Sequence, residues 1–230
     1  VFLHKGERYD MDEKRKKLLP RVLWVTVANL ILGLGIAMLR LSGFGTDPFT
    51  CMNLGVSSHL PVSFAVYQMI FNVLLFIPVF ILDRKSFGIG ALINMLLLGY
   101  FVEFFMFLFA AVGITIEGMA GNMAMRIPAL VVGILVLCFG VALYMACDLG
   151  AAPYDRLSVI VENYSHGKIK YKWARVGQDV ISAVVGLMTG SVVSIGTVIV
   201  ALFTGPIVSF FRDTAVARIM RGIRSSEAAA

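Results

Sequence analysis

The sequence has few of the residues that build metal sites. Its 230 residues include only 3 cysteines and 3 histidines. The cysteines lie in apolar surroundings without the spacing of metal ligands, and the histidines are scattered along the chain. These residues are Cys51, Cys138, Cys147, His4, His59 and His166. We therefore expect no metal site, and we interpret the cysteines as small core residues.

The sequence also lacks the motifs of common catalytic sites. It has no H-x-x-x-H pair, no nucleophile elbow and no phosphate-binding loop. The run Gly43-Phe44-Gly45 lacks the third glycine and the preceding strand of a dinucleotide site. We expect a protein that is not an enzyme and that has no cofactor.

Long apolar runs are abundant. Hydrophobic residues make up 59% of the chain, against about 45–50% in soluble domains. Several runs approach the ~20 residues that a helix needs to cross a bilayer. Each should be a helix, because lipid offers no partners for an open backbone. The predicted spans are 21–41, 63–82, 88–112, 127–147, 174–190 and 192–211.

Two stretches of the chain resemble each other. Gly35 to Phe49 reads GIAMLRLSGFGTDPF, and Gly140 to Tyr154, offset by 105 residues, reads GVALYMACDLGAAPY. The likeness resumes between 89–105 and 195–211. A duplicated apolar unit that a Gly/Pro break interrupts is typical of transporters built from two repeats.

The basic residues predict the topology. With six spans, the basic head, the basic loops and the basic tail all lie on the cytoplasmic side, as the positive-inside rule requires. The net charge of +6 is then explained by membrane lipid, and we expect no nucleic-acid partner. Three spans in each repeat make the repeats inverted. The predicted divisions are a cytoplasmic head 1–20, repeat 1 at 21–112, an extracytoplasmic loop 113–126, repeat 2 at 127–211 and a cytoplasmic tail 212–230.

The segments 42–60 and 148–165 are too short or too polar to count as spans. We predict that each is re-entrant, with a loop that enters the membrane and a short helix that returns to the same side. Pro48 suits the first position of such a helix, with Thr46 or Asp47 as its cap. The cap before Pro153 is weaker, because no capping side chain directly precedes it. Flat interfacial helices and full crossings are the alternatives.

Polar residues inside spans are candidates for function because they are costly there. Glu103 and Asp179 are candidates for proton coupling, and structural pairing is the alternative. Gln68 and Asn72 are four residues apart and share a helix face; bonding between helices is their alternative role. Asn94 and Glu103 lie in one span but should point to opposite sides.

The predicted substrate site lies between the helix starts at Pro48 and Pro153. These free helix N-termini suit an anionic or electronegative group. Phe49 and Tyr154 are placed to stack on a flat ligand. The predicted substrate-binding residues are Thr46, Asp47, Phe49, Asn53, Gln68, Asn72, Tyr154, Asp155, Gln178 and Asp179.

The paired breaks resemble those of the bacterial YczE/YitT-type integral membrane proteins. GFGTDPF at 43–49 is the clearer match, whereas DLGAAPYD at 148–155 has Asp148 where the first glycine would stand. Relatives of the YczE kind are associated with regulators that sense pyridoxal phosphate. The resemblance therefore implies a vitamin B6-type or related small metabolite as substrate.

The sequence predicts an all-α polytopic membrane protein of the bacterial inner membrane, with both termini cytoplasmic. The leading hypothesis is a secondary transporter of a small polar organic metabolite. Its partners would be that small molecule and membrane lipid, and a homodimer is left open. The alternatives are a substrate-binding membrane subunit of a larger vitamin importer and a membrane scaffold for cytosolic enzymes.

Overall fold

The computed structural model describes residues 5–83, 88–150 and 152–221, and the secondary structure in these ranges is helical. The helices are α1 Lys5–Ser42, α2 Pro48–Ser57, α3 Phe64–Leu82, α4 Ile89–Ala111, α5 Ile116–Met119, α6 Met123–Ala146, α7 Pro153–Tyr164, α8 Tyr171–Met188 and α9 Ile195–Phe211. The all-α prediction is confirmed. The predicted loop 113–126 contains α5 and the start of α6. The predicted tail begins as a π-helical turn, Arg212–Val216, and stays helical to Arg221.

Five helical segments within the described ranges are long and apolar enough to cross a membrane. They are Leu18–Ser42, Phe64–Leu82, Ile89–Ala111, Met123–Ala146 and Ile195–Arg221. The sixth predicted span corresponds to α8, whose 18 residues include Lys172, Arg175 and Asp179. Three charges in so short a helix make it less apolar than the others. The structure therefore supports a polytopic membrane protein, and the count of six spans stays a prediction.

Helices α1 and α6 form the central antiparallel pair. A side chain added at Gly35 would meet Leu137 at 2.6 Å, and one added at Gly140 would meet Leu32 at 2.9 Å. These two contacts exchange with each other under the sequence offset of 105 residues. Small residues at such positions allow membrane helices to approach closely. The α1–α6 interface therefore relates equivalent positions of the two sequence repeats.

Two outer helices each pack on the member of this pair from their own repeat, and the two short helices pack across the repeats. Helix α4 contacts α1, and α9 contacts α6. Helix α2 packs on α8 from the other sequence repeat as well as on its neighbour α3. Helix α7 likewise packs on α3 as well as on α8. Each short helix therefore lies between the two sequence repeats.

Two breaks separate the short helices from the long helices before them: the first break, residues 43–47, and the second break, residues 148–152. Both turn through two left-handed residues, with φ of 66° at Gly43 and 89° at Gly45, and 51° at Asp148 and 96° at Gly150. Asp148 thus adopts the conformation of the glycine that it replaces, which Asp tolerates better than most side chains. The described residues of the two breaks therefore have their left-handed conformations at equivalent positions.

The helix starts after the breaks differ in their caps. Asp47 caps α2, since the Thr50 N–H donates to its carboxylate at 3.0 Å. Ala152 precedes α7 and provides no side-chain cap. Both outcomes agree with the sequence prediction for Pro48 and Pro153, each of which opens its helix.

Each break lies against the first turn of a helix from the other sequence repeat. The Gly90 N–H, in the first turn of α4, donates to the Leu149 carbonyl at 2.8 Å. Gly196, in the first turn of α9, has no room for a side chain because the Phe44 carbonyl oxygen would lie 2.4 Å from it. Each break is therefore in contact with protein from the other sequence repeat, which favours irregular backbone inside a bilayer.

Arg126 holds the end of α1 on the first break. Its guanidinium donates to the carbonyls of Ser42 at 2.7 Å and Gly43 at 3.1 Å. It also lies 4.4 Å from the centre of the Phe44 ring. A cation at the C-terminus of a helix compensates the free carbonyls there. The sequence analysis placed Arg126 in a loop, and the structure gives it this capping role.

Candidate functional site

The starts of α2 and α7 are in direct contact. The rings of Phe49 and Tyr154, each one residue after the proline that opens its helix, have centroids 4.2 Å apart and are tilted by 37°. Phe71 from α3 lies 6.0 Å from Phe49 on the other side. Phe49 and Tyr154 therefore pack on each other here. The candidate site surrounds this aromatic contact.

Tyr154 is the centre of a polar cluster that joins α7 to α8. Its hydroxyl donates to Asp179 at 2.7 Å and lies 3.1 Å from the Ser182 hydroxyl. Gln178 donates to the Tyr154 carbonyl at 2.7 Å and accepts a hydrogen bond from Ser158 at 2.9 Å. Three of the predicted site residues, Tyr154, Gln178 and Asp179, are thus brought together. We call this group, with Ser158 and Ser182, the Tyr154 cluster.

Arg175 balances part of the negative charge beside this cluster. Its guanidinium forms ion pairs with Asp155 and, at 3.2 Å, with Asp179. It also lies 4.8 Å from the centre of the Tyr154 ring, a cation–π distance. Asp47 is within electrostatic range of both Asp179 and Arg175. Two carboxylates therefore pair with one guanidinium, and a third lies within electrostatic range of it.

Asp47 and Thr46 line the first break next to this charged group. One carboxylate oxygen of Asp47 caps α2, and its other oxygen is buried without a hydrogen-bond partner in the described structure. The Thr46 hydroxyl lies 3.3 Å from the Cys51 sulfur. Since the Asp47 carboxylate already accepts from the Thr50 N–H at the start of α2, an anionic ligand would compete with a carboxylate there.

The remaining predicted residues of α2 and α3 are deeply buried. Asn53, Gln68 and Asn72 are each no more than 2% exposed. None of the polar side-chain atoms of Asn53 and Gln68 has a hydrogen-bond partner in the described part of the chain. Buried side-chain amides normally have hydrogen-bond partners, so Asn53 and Gln68 are exceptions to this rule.

Glu103 is placed away from the Tyr154 cluster. Its carboxylate accepts a hydrogen bond from the Ala65 N–H at 2.8 Å, in the first turn of α3. Arg40 is within electrostatic range of it. Asn94, on the other side of α4, donates to Asn29 of α1 at 2.7 Å. The opposite orientation of Asn94 and Glu103 agrees with the sequence analysis, and Glu103 has a structural contact at a helix start.

Sequence reasoning missed three members of the site. Arg175, Ser158 and Ser182 were not among the predicted residues, yet each contacts one that was. All three carried a signal: Arg175 precedes Asp179 by four residues, Ser158 follows Tyr154 by four, and Ser182 follows Gln178 by four. Residues at this spacing are neighbours on a helix surface. Within the described ranges, no three His, Cys, Asp or Glu side chains come together as metal ligands would.

Comparison with known proteins identifies the family. A model described as "Family of unknown function (DUF6198)" matches residues 19–213. The chain belongs to this family. The match covers both breaks, the Tyr154 cluster and the central helix pair.

Three curated proteins are similar over most of their length. An uncharacterized protein of Haemophilus influenzae is 28% identical over 218 residues, covering 86% of this chain and 93% of that protein. The uncharacterized membrane protein YczE of Bacillus subtilis is 24% identical over 197 residues, covering 85% and 87%. The uncharacterized protein YyaS of Bacillus subtilis is 24% identical over 191 residues, covering 83% and 92%. The resemblance to YczE-type membrane proteins is confirmed. No solved structure matches the chain.

Proposed function

We propose that the protein is a secondary transporter of a small polar organic molecule, bound between two inverted repeats. The observation that carries this proposal is the contact between Phe49 and Tyr154. These residues occupy equivalent places in the two sequence repeats, directly after the prolines that open α2 and α7. Transporters with inverted repeats place the substrate where such discontinuous helices meet.

The packing supports the inverted arrangement. The contacts of α2 with α8 and of α7 with α3 exchange under the sequence offset, as do those of α4 with α1 and of α9 with α6. The paired left-handed residues of the two breaks follow the same rule. A pseudo-two-fold axis between α1 and α6 accounts for all of these relations. The charge bias favours a cytoplasmic position for both termini in a bacterial inner membrane.

Proton coupling is assigned to Asp179. Its carboxylate lies between the Tyr154 hydroxyl and the Arg175 guanidinium, so its charge is linked to the contact between the two helix starts. Protonation of Asp179 would weaken its ion pair with Arg175 and would free its carboxyl group to leave the position between Arg175 and Tyr154. Glu103, the second candidate, is bonded to the start of α3 instead. A change of charge at Glu103 would act on the start of α3, away from the contact between Phe49 and Tyr154.

The test is uptake by the purified protein in liposomes under a pH gradient, with a panel of small polar metabolites. We expect accumulation of at least one compound, and we expect Tyr154→Phe to reduce its initial rate by roughly tenfold or more. That variant keeps the ring but loses a hydrogen bond to a charged group, which contributes about 1.5–3 kcal/mol. Tyr164→Phe, at the exposed end of the same helix, is the matched control and should transport normally.

Further variants separate the roles of the two carboxylates. Asp179→Asn should abolish the dependence of uptake on the pH gradient, whereas Glu103→Gln should retain it. Uptake by the protein alone also distinguishes a transporter from a capture subunit, which needs a partner to release its ligand. Absence of uptake across the panel, or equal rates for Tyr154→Phe and Tyr164→Phe, contradicts the proposal.

A further inference from the structure

Asn53 on α2 and Gln68 on α3 are buried amides without protein partners. Their exposed fractions are 0% and 1%. The nitrogen and the oxygen of both side chains lack a hydrogen bond to any residue that the structure describes. A buried polar group with no partner destabilises the folded protein. Four such atoms on two adjacent helices are therefore costly unless another molecule satisfies them.

The hairpin of α2 and α3 places the two amides at one level. Asn53 precedes Ser58, which caps the end of α2, by five residues, and Gln68 follows Ser63, which caps the start of α3, by five. Residues equally far from the loop of a helical hairpin lie at about the same height. The Phe49–Phe71 contact, about one turn deeper on both helices, agrees with this register.

The equivalent positions of the second sequence repeat have partners. Ser158 matches Asn53 by the offset of 105 residues and donates to Gln178. Arg175 matches Gln68, since each is the fifth residue of its helix, and it pairs with Asp155 and Asp179. The two repeats thus differ at the same place: one satisfies its polar groups internally and the other does not.

We propose that Asn53 and Gln68 bind the substrate, and that the substrate is an uncharged flat heterocycle carrying an amide-like group. Each side-chain amide offers donors and an acceptor, so the complementary group must offer both as well. The neighbouring rings of Phe49, Phe71 and Tyr67, the last two stacked at 5.9 Å, favour a flat ligand. This inference rests on the proposed transport function and names its substrate class.

The absence of charge follows from the surroundings of the two amides. The charged residues linked to Tyr154 and the start of α2 are Asp47, Asp155, Arg175 and Asp179, and Arg175 is already engaged by two of the carboxylates. Arg156, the other cation, at the start of α7, pairs with Asp83. An anionic ligand would find no free cation among them, and burying an unpaired charge is unfavourable. A neutral ring amide can form hydrogen bonds with Asn53 and Gln68 without burying an unpaired charge.

The experiment compares thermal stability and binding in purified variants. Asn53→Leu and Gln68→Met replace each amide by an apolar side chain of similar size. We expect both to raise the melting temperature of the ligand-free protein, because an unsatisfied polar group is removed. Gln178→Met is the matched control: its amide makes two hydrogen bonds, so its loss should lower the melting temperature.

The binding probes are nicotinamide and uracil, together with their anionic analogues nicotinate and orotate. We expect at least one neutral probe to raise the melting temperature of the unmodified protein, since a ligand of the folded state stabilises it. The anions should not, and the shift should disappear in Asn53→Leu and Gln68→Met. Ligand-free stability and probe binding are independent readouts of the same two residues.

Several results would overturn this assignment. If Gln68→Met lowers the melting temperature as much as Gln178→Met does, the Gln68 amide stabilises the ligand-free fold and is not a group reserved for the substrate. Equal shifts with neutral and anionic probes, or no shift with any of the four, exclude the substrate class. If a probe binds and its binding depends on both amides, but no uptake is seen in liposomes, the assignment of the binding residues holds and only the proposed transport function is contradicted.

Discussion

Gly45 shows how tightly the backbone of a break is held. Its φ is 89°, and a side chain added there would meet the Thr197 hydroxyl at 2.3 Å and the Val192 carbonyl at 2.7 Å. Two independent constraints, the left-handed conformation and the approach of the start of α9, thus apply to one residue. Gly177 on α8 is the opposite case, since nothing lies within 4 Å of the same position.

These two glycines make a matched prediction. Gly45→Ala should destabilise the protein by more than the about 1–2 kcal/mol that a left-handed residue costs, because steric conflict adds to it. Gly177→Ala should leave stability unchanged or raise it by up to about 1 kcal/mol, since alanine is the better helix former. Thermal unfolding in detergent measures both. A Gly45→Ala variant as stable as Gly177→Ala would contradict the described geometry of the first break.

At the scale of elements, the two short helices differ at their first turns. Asp47 caps α2, whereas α7 begins after an alanine. Asp47→Ala should lower the free energy of unfolding by about 1 kcal/mol, and Asp47→Asn should retain most of the cap. Ala152→Ser should add a cap to α7 and stabilise the protein by a similar amount. Melting temperatures of the three variants test this, and a stable Asp47→Ala would show that α2 is held by packing alone.

Sequence patterns predicted the elements well, because the apolar runs and the prolines that open α2 and α7 are local signals. The helix predicted at 174–190 is found as α8, Tyr171–Met188, and its crossing of the membrane stays a prediction because its three charges make it less apolar than the other spans. The ion pair of Arg175 with Asp155 was missed because Asp155 lies on another helix. The pair with Asp179, four residues on in the same helix, carried a local signal that was not used. The left-handed conformation of Asp148 was also not predicted, because the residue is not a glycine. The structure shows that it has the same backbone conformation as Gly43 in the first break.

At the scale of the whole molecule, the crossing of α2 and α7 decides the topology. If both are re-entrant, Leu60 and Ala120 lie outside and Lys168 lies inside; if both cross the membrane, all three lie inside. All three positions are exposed, and the native cysteines are buried. Single cysteines at these positions should react with an impermeant reagent in intact cells at 60 and 120 only. Protection of residues 60 and 120 would exclude the re-entrant arrangement.

The crosswise packing of α2 on α8 and of α7 on α3 has a consequence for how the protein is made. Neither half contains all the contacts of its own short helix, because α2 packs on α8 and α7 packs on α3 as well as on helices of their own halves. We therefore expect the contacts of α2 with α8 and of α7 with α3 to form only after the second half has been synthesised. A gene for the first half alone should therefore give a protein in which α2 lacks its contacts with α8 and α3 lacks its contacts with α7.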